Sequence, residues 1–250
     1  MDLFPRSSLD NRKNFYKQEF SVDALDYFFF IHPQFFVIDH GTETRIINDP
    51  KKANSLQILQ PNLSFKALKA KLIIETPEDV YYDRNLYKDP NICLSCRKFD
   101  SCFTCPYGNF MGQQLVFDID PQNINCSSCG LSKHTNFCPE CIQLAVSNAF
   151  LLKEELLYRF SDVRVVFSGR GAHVHVMDSS ARRLSFSDRV LLNKQFAHLG
   201  IDQFVSAGSR LIRLPYSLNA LSSRRVVPIQ DSFDIFSEVL IPSFLKSSPI

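Results

Sequence analysis

The sequence predicts an α+β (mixed α/β) fold, because segments with helical spacing and segments with strand-like alternation are interleaved along the chain. The helix signal is strongest at 142–160, IQLAVSNAFLLKEELLYRF, where the apolar residues form one broad face. The strand signal is strongest just after it, in VRVVFSG (163–169) and AHVHVMD (172–178). The 250 residues are 45% hydrophobic, with 23 Phe and no Trp, which is enough to build a sizeable core.

The other elements follow from the same two patterns. The segment 14–31 mixes helical spacing with a dense aromatic run, and helices are predicted at 64–75, before Pro77, and at 187–200, which Gly200 ends. Short β-like runs predict further strands at 34–39, 78–87, 113–120, 209–215 and 224–229. The segment 40–55 is polar and rich in turn residues, so a loop or an exposed hairpin is expected there.

Charge and hydropathy narrow the classes of protein only a little. The formal net charge of +2 is mildly basic, which neither demands nor excludes a nucleic-acid partner. No uninterrupted apolar run reaches about 18 residues, so no membrane span is expected. The N-terminal segment 1–20 is too polar for a secretory signal, and we therefore expect a soluble protein inside the cell.

All eight cysteines fall in C-x-x-C pairs, which indicates metal binding rather than a secreted disulfide framework. A two-residue gap lets both thiolates of a pair turn onto one ion. The four pairs are Cys93/Cys96, Cys102/Cys105, Cys126/Cys129 and Cys138/Cys141.

These pairs form two clusters. The cluster at 126–141 has the spacing C-x2-C-x8-C-x2-C, and its four thiolates can close a tetrahedral zinc site in which His134 could replace one of the first pair. A closed site leaves no position for substrate, so this zinc would be structural. The cluster at 93–105 has a shorter loop, C-x2-C-x5-C-x2-C, that is still feasible for zinc; an iron–sulfur cluster and free structural cysteines are the alternatives.

The apolar strand LVFDID carries two acids one residue apart. Because side chains alternate across a strand, Asp118 and Asp120 share one face, whereas Phe117 and Ile119 point to the core. Two neighbouring carboxylates repel each other and are costly near a core unless a cation lies between them. The pair suits Mg²⁺ or Mn²⁺, which prefer oxygen ligands and can bind phosphates. The alternative is a strand end with two solvated acids.

Two further segments add polar groups of other kinds. In VVFSGRGAHVHV the turn Ser168–Gly171 would let backbone N–H groups approach an anion, Arg170 offers a fork for phosphate oxygens, and His173 adds a donor. The alternative for this segment is an ordinary hairpin turn with an exposed arginine. In IDQFVSAGSRLIRLP, Asp202 precedes the basic residues Arg210 and Arg213; alone, such an acid is more often a cap and such an arginine a surface charge.

The order of these pieces resembles the small catalytic subunit of archaeal and eukaryotic DNA primases, in the archaeo-eukaryotic primase superfamily. LVFDID resembles the family's catalytic strand, the cysteines after it its zinc knuckle, and VVFSGRGAHVHVMD its nucleotide-binding motif. IDQFVSAGSRLIRLPYSL leading to VVPI, and RKNFYKQEF near the N-terminus, continue the resemblance over about residues 12–229. The chain would be a short, archaeal form of the family.

The resemblance implies a fold and a mechanism. It implies one catalytic domain over 1–250, with mixed sheets flanked by helices and Cys-rich zinc-knuckle subdomains at 93–105 and 126–141. It also implies that Asp118, Asp120 and Asp202 hold two Mg²⁺ or Mn²⁺ ions, which would activate a 3′-hydroxyl and steady the α-phosphate and the leaving pyrophosphate of an incoming nucleotide.

The resemblance assigns nucleotide contacts as well. Ser168, Arg170 and His173 would hold the triphosphate, Arg213 would be a basic triphosphate contact, and Arg45 would also reach the nucleotide. Three departures from the family pattern stand out. The spacing from Asp202 to Pro215 is one residue shorter than is usual in the family. Asn219 occupies a position where the family commonly has His, and the knuckle at 93–105, before the catalytic strand, has no general counterpart.

The implied activity is synthesis of short RNA (or DNA) primers on single-stranded DNA for replication, from nucleoside triphosphates and with a primase large subunit as partner. Such a protein would work in the cytoplasm of an archaeal cell, or in the nucleus if the source is eukaryotic. One alternative is a primase-polymerase or repair polymerase that extends primers but initiates poorly. The other is a non-catalytic zinc-knuckle protein that binds nucleic acid or a partner subunit.

Overall fold

The computed structural model describes residues 4–41, 56–96, 99–124, 138–203, 210–230 and 234–246. Its helices are α1 (Leu9–Gln18), α2 (Val22–Phe28), α3 (Phe65–Glu75), α4 (Pro90–Ser95), α5 (Pro139–Leu157), α6 (Ser179–Arg182), α7 (Phe186–Gln195) and α8 (Ser243–Lys246). Its strands are β1 (Phe36–Asp39), β2 (Leu56–Ile58), β3 (Asp79–Asp83), β4 (Asn85–Tyr87), β5 (Phe110–Gln113), β6 (Leu115–Ile119), β7 (Val163–Phe167), β8 (Ala172–Val176), β9 (Leu211–Arg213), β10 (Leu218–Asn219), β11 (Arg224–Arg225) and β12 (Val227–Ile229). Short 3-10 helices cover Phe99–Thr104, Pro121–Asn123, Ala197–Leu199 and Glu238–Leu240.

The chain divides into two compact units. The first unit comprises Met1–Asp83, Leu211–Val227 and Glu238–Ile250, and the second comprises Arg84–Arg210 and Pro228–Ser237. The chain therefore leaves the first unit after β3 and returns to it at β9, and these two strands pair antiparallel, with Asp83 opposite Leu211. The expectation of a single catalytic domain over 1–250 stays a prediction.

The first unit is built on the sheet β2-β1-β3-β9, in which neighbouring strands are antiparallel. Helices α1, α2 and α3 each begin at a serine whose hydroxyl accepts a backbone N–H of the first turn. Buried aromatic rings fill the core, and Phe29 contacts Tyr82 edge to face with 4.9 Å between ring centroids. Phe36 and Phe65 are likewise 5.9 Å apart, which explains where part of the abundant Phe is used.

The second unit is built on the sheet β12-β7-β8-β6, in which β8 runs antiparallel to both of its neighbours. One face of β6, β7 and β8 is apolar and is covered by α5, whose own buried side chains include Val146, Ala149 and Leu152. The opposite face carries polar side chains, because the register places Asp118 opposite His173. The alternation of these strands thus separates a core face from a polar face.

The observed elements confirm the α+β class, with antiparallel sheets and helices, and correct several boundaries. The predicted strand 78–87 is two strands, because the chain passes from the first unit into the second between β3 and β4. The predicted helix 187–200 ends at Gln195 and continues as a 3-10 turn to Gly200, whose φ of 80° is left-handed. Among the described residues, no helix is long and apolar enough to cross a membrane.

Candidate functional site

The three predicted acids are brought onto adjoining backbone in the second unit. Asp118 lies in β6, and Asp120 directly follows that strand. Ile201 forms an antiparallel bridge with Ile119, and the backbone N–H of Asp202 donates to the carbonyl of Asp118 at 2.8 Å. Main-chain hydrogen bonding therefore holds Asp202, which is distant in sequence, beside Asp118 and Asp120.

Each carboxylate of the β6 pair faces a group that is, or can become, a cation. Oδ1 of Asp118 lies 3.5 Å from Nε2 of His173, which is the residue opposite it in β8. Oδ2 of Asp120 lies 3.6 Å from Nη2 of Arg170 and accepts a hydrogen bond from Gln122 at 3.2 Å. Separations of 3.5 and 3.6 Å exceed ordinary hydrogen-bond lengths, so these contacts are mainly electrostatic.

The turn between β7 and β8 is shaped by its glycines. The backbone N–H of Ser168 donates to the carbonyl of Gly171 at 3.0 Å, and the Ser168 hydroxyl accepts from the Gly171 N–H at 3.2 Å. Gly169 has a φ of 96°, which favours glycine. A Cβ on Gly171 would stand 2.5 Å from the carbonyl oxygen of Ile119, so the turn packs directly against the end of β6. Arg170, with 41% of its side chain exposed, projects from this turn.

Beside Asp202 lies an open cleft of about 400 Å³. Its lining residues are Asn123, Ala197, Gly200, Ile201, Asp202 and Gln203.

His175 lies on the same sheet face as His173, with 5.9 Å between the ring centroids. It is fully buried, and burial lowers its pKa from 6.5 to about 3, with the charges of Arg84 and Arg164 lowering it further. Sequence reasoning did not single it out, although the alternation in AHVHV places it two residues after His173 on the same face.

Arg213 lies in β9 of the first unit and is engaged there with an acid that sequence reasoning missed. Its Nη2 lies 2.7 Å from Oδ2 of Asp79, and its guanidinium stacks over the ring of Tyr81 at 5.7 Å. Burial raises the pKa of Asp79 to about 6, and the charge of Arg213 partly offsets that rise. The available signal was an acid at the start of the buried strand DVYYD.

Several predicted residues lie outside the described residues. These are Arg45, Cys126, Cys129 and His134. The other half of the cluster at 126–141 is described: Cys138 directly precedes α5, and Cys141 is buried in its first turn. Zinc binding by this cluster stays a prediction.

The four cysteines of the cluster at 93–105 are all among the described residues, and no disulfide joins any of them. Burial raises the pKa of Cys93 to about 11, with the thiolate charges of Cys102 and Cys105 adding to that rise. Among the described residues, no three His, Cys, Asp or Glu side chains are grouped so that they could hold a metal ion as they stand. Neither the described cysteines nor Asp118, Asp120 and Asp202 form such a group.

Comparison with known proteins identifies the family. No protein-family model matches the chain. An uncharacterized DNA primase small subunit-like protein of Archaeoglobus fulgidus is 36% identical over an alignment of 264 residues, which covers 97% of this chain and 92% of that protein. The chain belongs to the DNA primase small subunit-like family.

More distant relatives of this family are the DNA primase small subunits PriS. The protein of Thermococcus onnurineus is 27% identical over 195 residues, which is 75% of this chain and 49% of the relative. The protein of Pyrococcus horikoshii is 26% identical over 186 residues, which is 72% of this chain and 46% of the relative. The primase small subunit-like chain thus spans about half the length of the PriS relatives that it matches.

Among solved structures, the polymerase domain of Mycobacterium tuberculosis Ligase D in complex with DNA matches with a TM-score of 0.51. The match covers 89% of this chain and 79% of that one at 12% sequence identity, so the likeness concerns the fold. The primase small subunit-like chain therefore has a fold similar to that of this polymerase domain.

Proposed function

We propose that the chain is the catalytic subunit of a DNA primase, a nucleotidyltransferase that makes short RNA (or DNA) primers on single-stranded DNA. The observation that carries the proposal is the meeting of three acids on adjoining backbone, with a basic side chain in the facing turn. The three acids are Asp118, Asp120 and Asp202, and the basic side chain is that of Arg170, which lies beside Asp120. Membership of the primase small subunit-like family is consistent with this chemistry.

The donor set fits divalent metal ions. Carboxylate oxygens are the ligands that Mg²⁺ and Mn²⁺ prefer. Three carboxylates are held close to one another along the backbone: Asp118 lies in β6, Asp120 directly follows it, and the backbone of Asp202 is hydrogen-bonded to Asp118. The polar contacts of Asp118 and Asp120 with His173 and Arg170 are long, so a metal ion can replace them at small cost. When bound, such ions activate the attacking hydroxyl and neutralise charge that develops on the phosphates.

The protein's own groups would bind and orient the nucleotide. Arg170 is half-exposed and can turn its guanidinium from Asp120 to the phosphate oxygens, which it would bind as a fork. Ser168 and the glycine-containing turn would bring backbone N–H groups near the same phosphates. His173, held beside Asp118 by strand pairing, would donate to the triphosphate from a fixed position.

Arg213 and Arg45 are proposed as additional triphosphate contacts. For Arg213, binding a phosphate would mean exchanging Asp79 for another anionic partner. Replacing Arg213 with Ala would then raise the KM for nucleoside triphosphates, and an unchanged KM would remove this residue from the proposal.

The expected partners follow from the proposed reaction. They are a single-stranded DNA template, nucleoside triphosphates and a primase large subunit, because the related PriS proteins are named as small subunits. Zinc in the cluster at 126–141 would have a structural role, since a closed tetrahedral site has no position for substrate.

Primer synthesis from labelled nucleotides tests the proposal. Purified protein is given unprimed single-stranded DNA, or the same DNA with an annealed primer, together with Mg²⁺ or Mn²⁺. Asp120→Asn is expected to lower the rate of product formation roughly a thousandfold, because several kcal/mol of metal-ion stabilisation are lost. Glu155→Gln, which alters an exposed carboxylate on α5, serves as the matched control and should keep full activity.

The two templates separate the possible functions. Product on both templates supports a primase, whereas product on the primed template alone supports a polymerase that extends and does not initiate. Equal rates for wild type and Asp120→Asn, or no nucleotide incorporation on either template with either metal, would contradict the proposal and favour a non-catalytic zinc-knuckle protein.

A further inference from the structure

The first cysteine cluster lies in a loop that the structure closes at its base. In the second unit β4 pairs antiparallel with β5, with Tyr87 opposite Phe110. The backbone N–H of Lys88 donates to the carbonyl of Asn109 at 2.9 Å, which joins the two ends of the loop. All four cysteines from Cys93 to Cys105 fall inside this closed segment of 88–109.

Asn109 fixes one side of the loop against a thiol. Its side chain accepts from the N–H of Asp89 at 2.9 Å and donates to the carbonyl of Asp89 at 2.8 Å. The same amide nitrogen also donates to Sγ of Cys93 at 3.2 Å, and Asn109 is buried. A buried amide that donates to sulfur stabilises a thiolate and orients it, as the outer partners of metal ligands do.

A tight turn presents backbone amides to Cys105. The N–H of Gly108 donates to the carbonyl of Cys105 at 3.1 Å, and Gly108 has a left-handed φ of 58°. Cys105 also donates its own N–H to the carbonyl of Cys102 at 3.1 Å, so the second pair is folded compactly.

Cys102 and Cys96 are each held by a contact within the loop or at its base. Cys102 lies 3.9 Å from the hydroxyl of Tyr87, in the strand pair that closes the loop. Cys96 ends α4, with its N–H bonded to the carbonyl of Ile92 at 3.2 Å, three residues after Cys93.

We propose that Cys93, Cys96, Cys102 and Cys105 bind one Zn²⁺ ion, which draws the four thiols together and locks the 88–109 loop. Four thiolates at paired spacing are a tetrahedral donor set that suits zinc. The thiols lose their protons to solvent as the metal binds. The spacing C-x2-C-x5-C-x2-C differs from the cysteine runs of ferredoxins, which favours zinc over an iron–sulfur cluster.

The loop is tied to the strand that bears the acids. The ring of Phe103, between Cys102 and Cys105, lies 4.9 Å from that of Phe110, and the guanidinium of Arg189 lies over it at 5.5 Å. Buried Arg189 donates to the carbonyl of Gln113, the last residue of β5 and two positions before β6. A metal that orders the loop would therefore stabilise the segment that leads into β6.

Alkylation of individual cysteines, read by mass spectrometry, tests this site on the full chain without any substitution. The protein is stripped of metal by a chelator, and Zn²⁺ alone is added back before the thiol reagent. The alkylation rates of the four cysteines from Cys93 to Cys105 are expected to fall at least about tenfold when Zn²⁺ is present. Equal rates with and without Zn²⁺ would overturn the proposal, whatever the chain does with nucleotides.

Metal content provides the second measurement. The double variant Cys102→Ser, Cys105→Ser is expected to retain one Zn²⁺ per chain fewer than wild type. The matched double variant Cys138→Ser, Cys141→Ser should leave the zinc-dependent protection at 93–105 intact. Iron with acid-labile sulfide in the purified protein, or a Cys102–Cys105 disulfide that persists under reducing conditions, would instead refute a zinc site.

Discussion

The buried imidazole of His175 makes the second unit sensitive to acid. His175 is fully buried beside Arg84 and Arg164, and its pKa is lowered to about 3 in the folded protein from 6.5. Folding therefore requires the neutral ring, whereas the unfolded chain can take up a proton below about pH 6.5. The stabilising contribution is complete above that pH and is lost as the pH falls from about 6.5 toward about 3.

The size of the effect at about pH 5 depends little on the exact pKa in the folded state. That pH lies about 1.5 units below the pKa of the unfolded chain, and each unit corresponds to about 1.36 kcal/mol. Between about pH 8 and about pH 5 the wild type is therefore expected to lose about 2 kcal/mol through this one residue. The variant His175→Gln, which cannot take up this proton, should lack that part of the loss.

Denaturant unfolding followed by circular dichroism measures the effect, since the chain has no Trp to report by fluorescence. Free energies of unfolding are compared for wild type and His175→Gln at about pH 8, 7, 6 and 5. The matched control is His198→Gln, at an exposed position in a 3-10 turn, where folding changes the surroundings of the ring little. Parallel curves for wild type and His175→Gln would refute the reasoning, because they would show that His175 takes up its proton equally in both states.

Three further perturbations probe other contacts. Gly171→Ala should cost about 1–3 kcal/mol of stability and lower primer synthesis, because the added Cβ meets the Ile119 carbonyl; unchanged thermal unfolding and activity would contradict this. Arg189→Ala should cost about 1–3 kcal/mol in denaturant unfolding, because the Gln113 carbonyl loses this buried donor, and a loss below about 0.5 kcal/mol would be inconsistent with that role. Burial raises the pKa of Asp79 from 3.8 to about 6, so the protonated acid favours folding and its contribution is lost as the pH rises between these two values. The stability of wild type relative to Asp79→Asn should therefore fall by about 2 kcal/mol between about pH 4 and pH 7, and a constant difference would argue against a raised pKa.

The parts of the site that the sequence predicted are those that local rules govern. Asp118 lies opposite His173 on the polar face of β6, as strand alternation predicts, and the Ser168–Gly171 turn follows from its glycines. Asp202 could be assigned only through the ordered motifs of a family, because its bond to Asp118 joins distant segments. These residues converge in the structure, while their roles toward metal and nucleotide remain proposals.

The features that escaped prediction depend on burial and on pairing over long distances. The family resemblance assigns Arg213 as a basic triphosphate contact. In the structure it pairs with Asp79, which is 134 positions away and lies in β3, the strand next to β9. Likewise, nothing local distinguishes His175 from His173, and it is complete burial, together with the nearby charge of Arg84, that lowers the pKa of His175. The division of 78–87 into β3 and β4 also reflects the path of the chain between units rather than any local pattern.

The passage of the chain out of the first unit after β3 and back at β9 has a consequence for synthesis on the ribosome. Strands β6, β7 and β8 all lie between Leu115 and Val176, together with Asp118, Asp120 and the turn that faces them, so the ribosome makes them in one short stretch. The first sheet, in contrast, receives β9 only after the whole of Arg84–Arg210 has emerged. A nascent chain can therefore assemble the acid-bearing strands while the first sheet still has an open edge at β3, and that edge is a place where a chaperone would be expected to act.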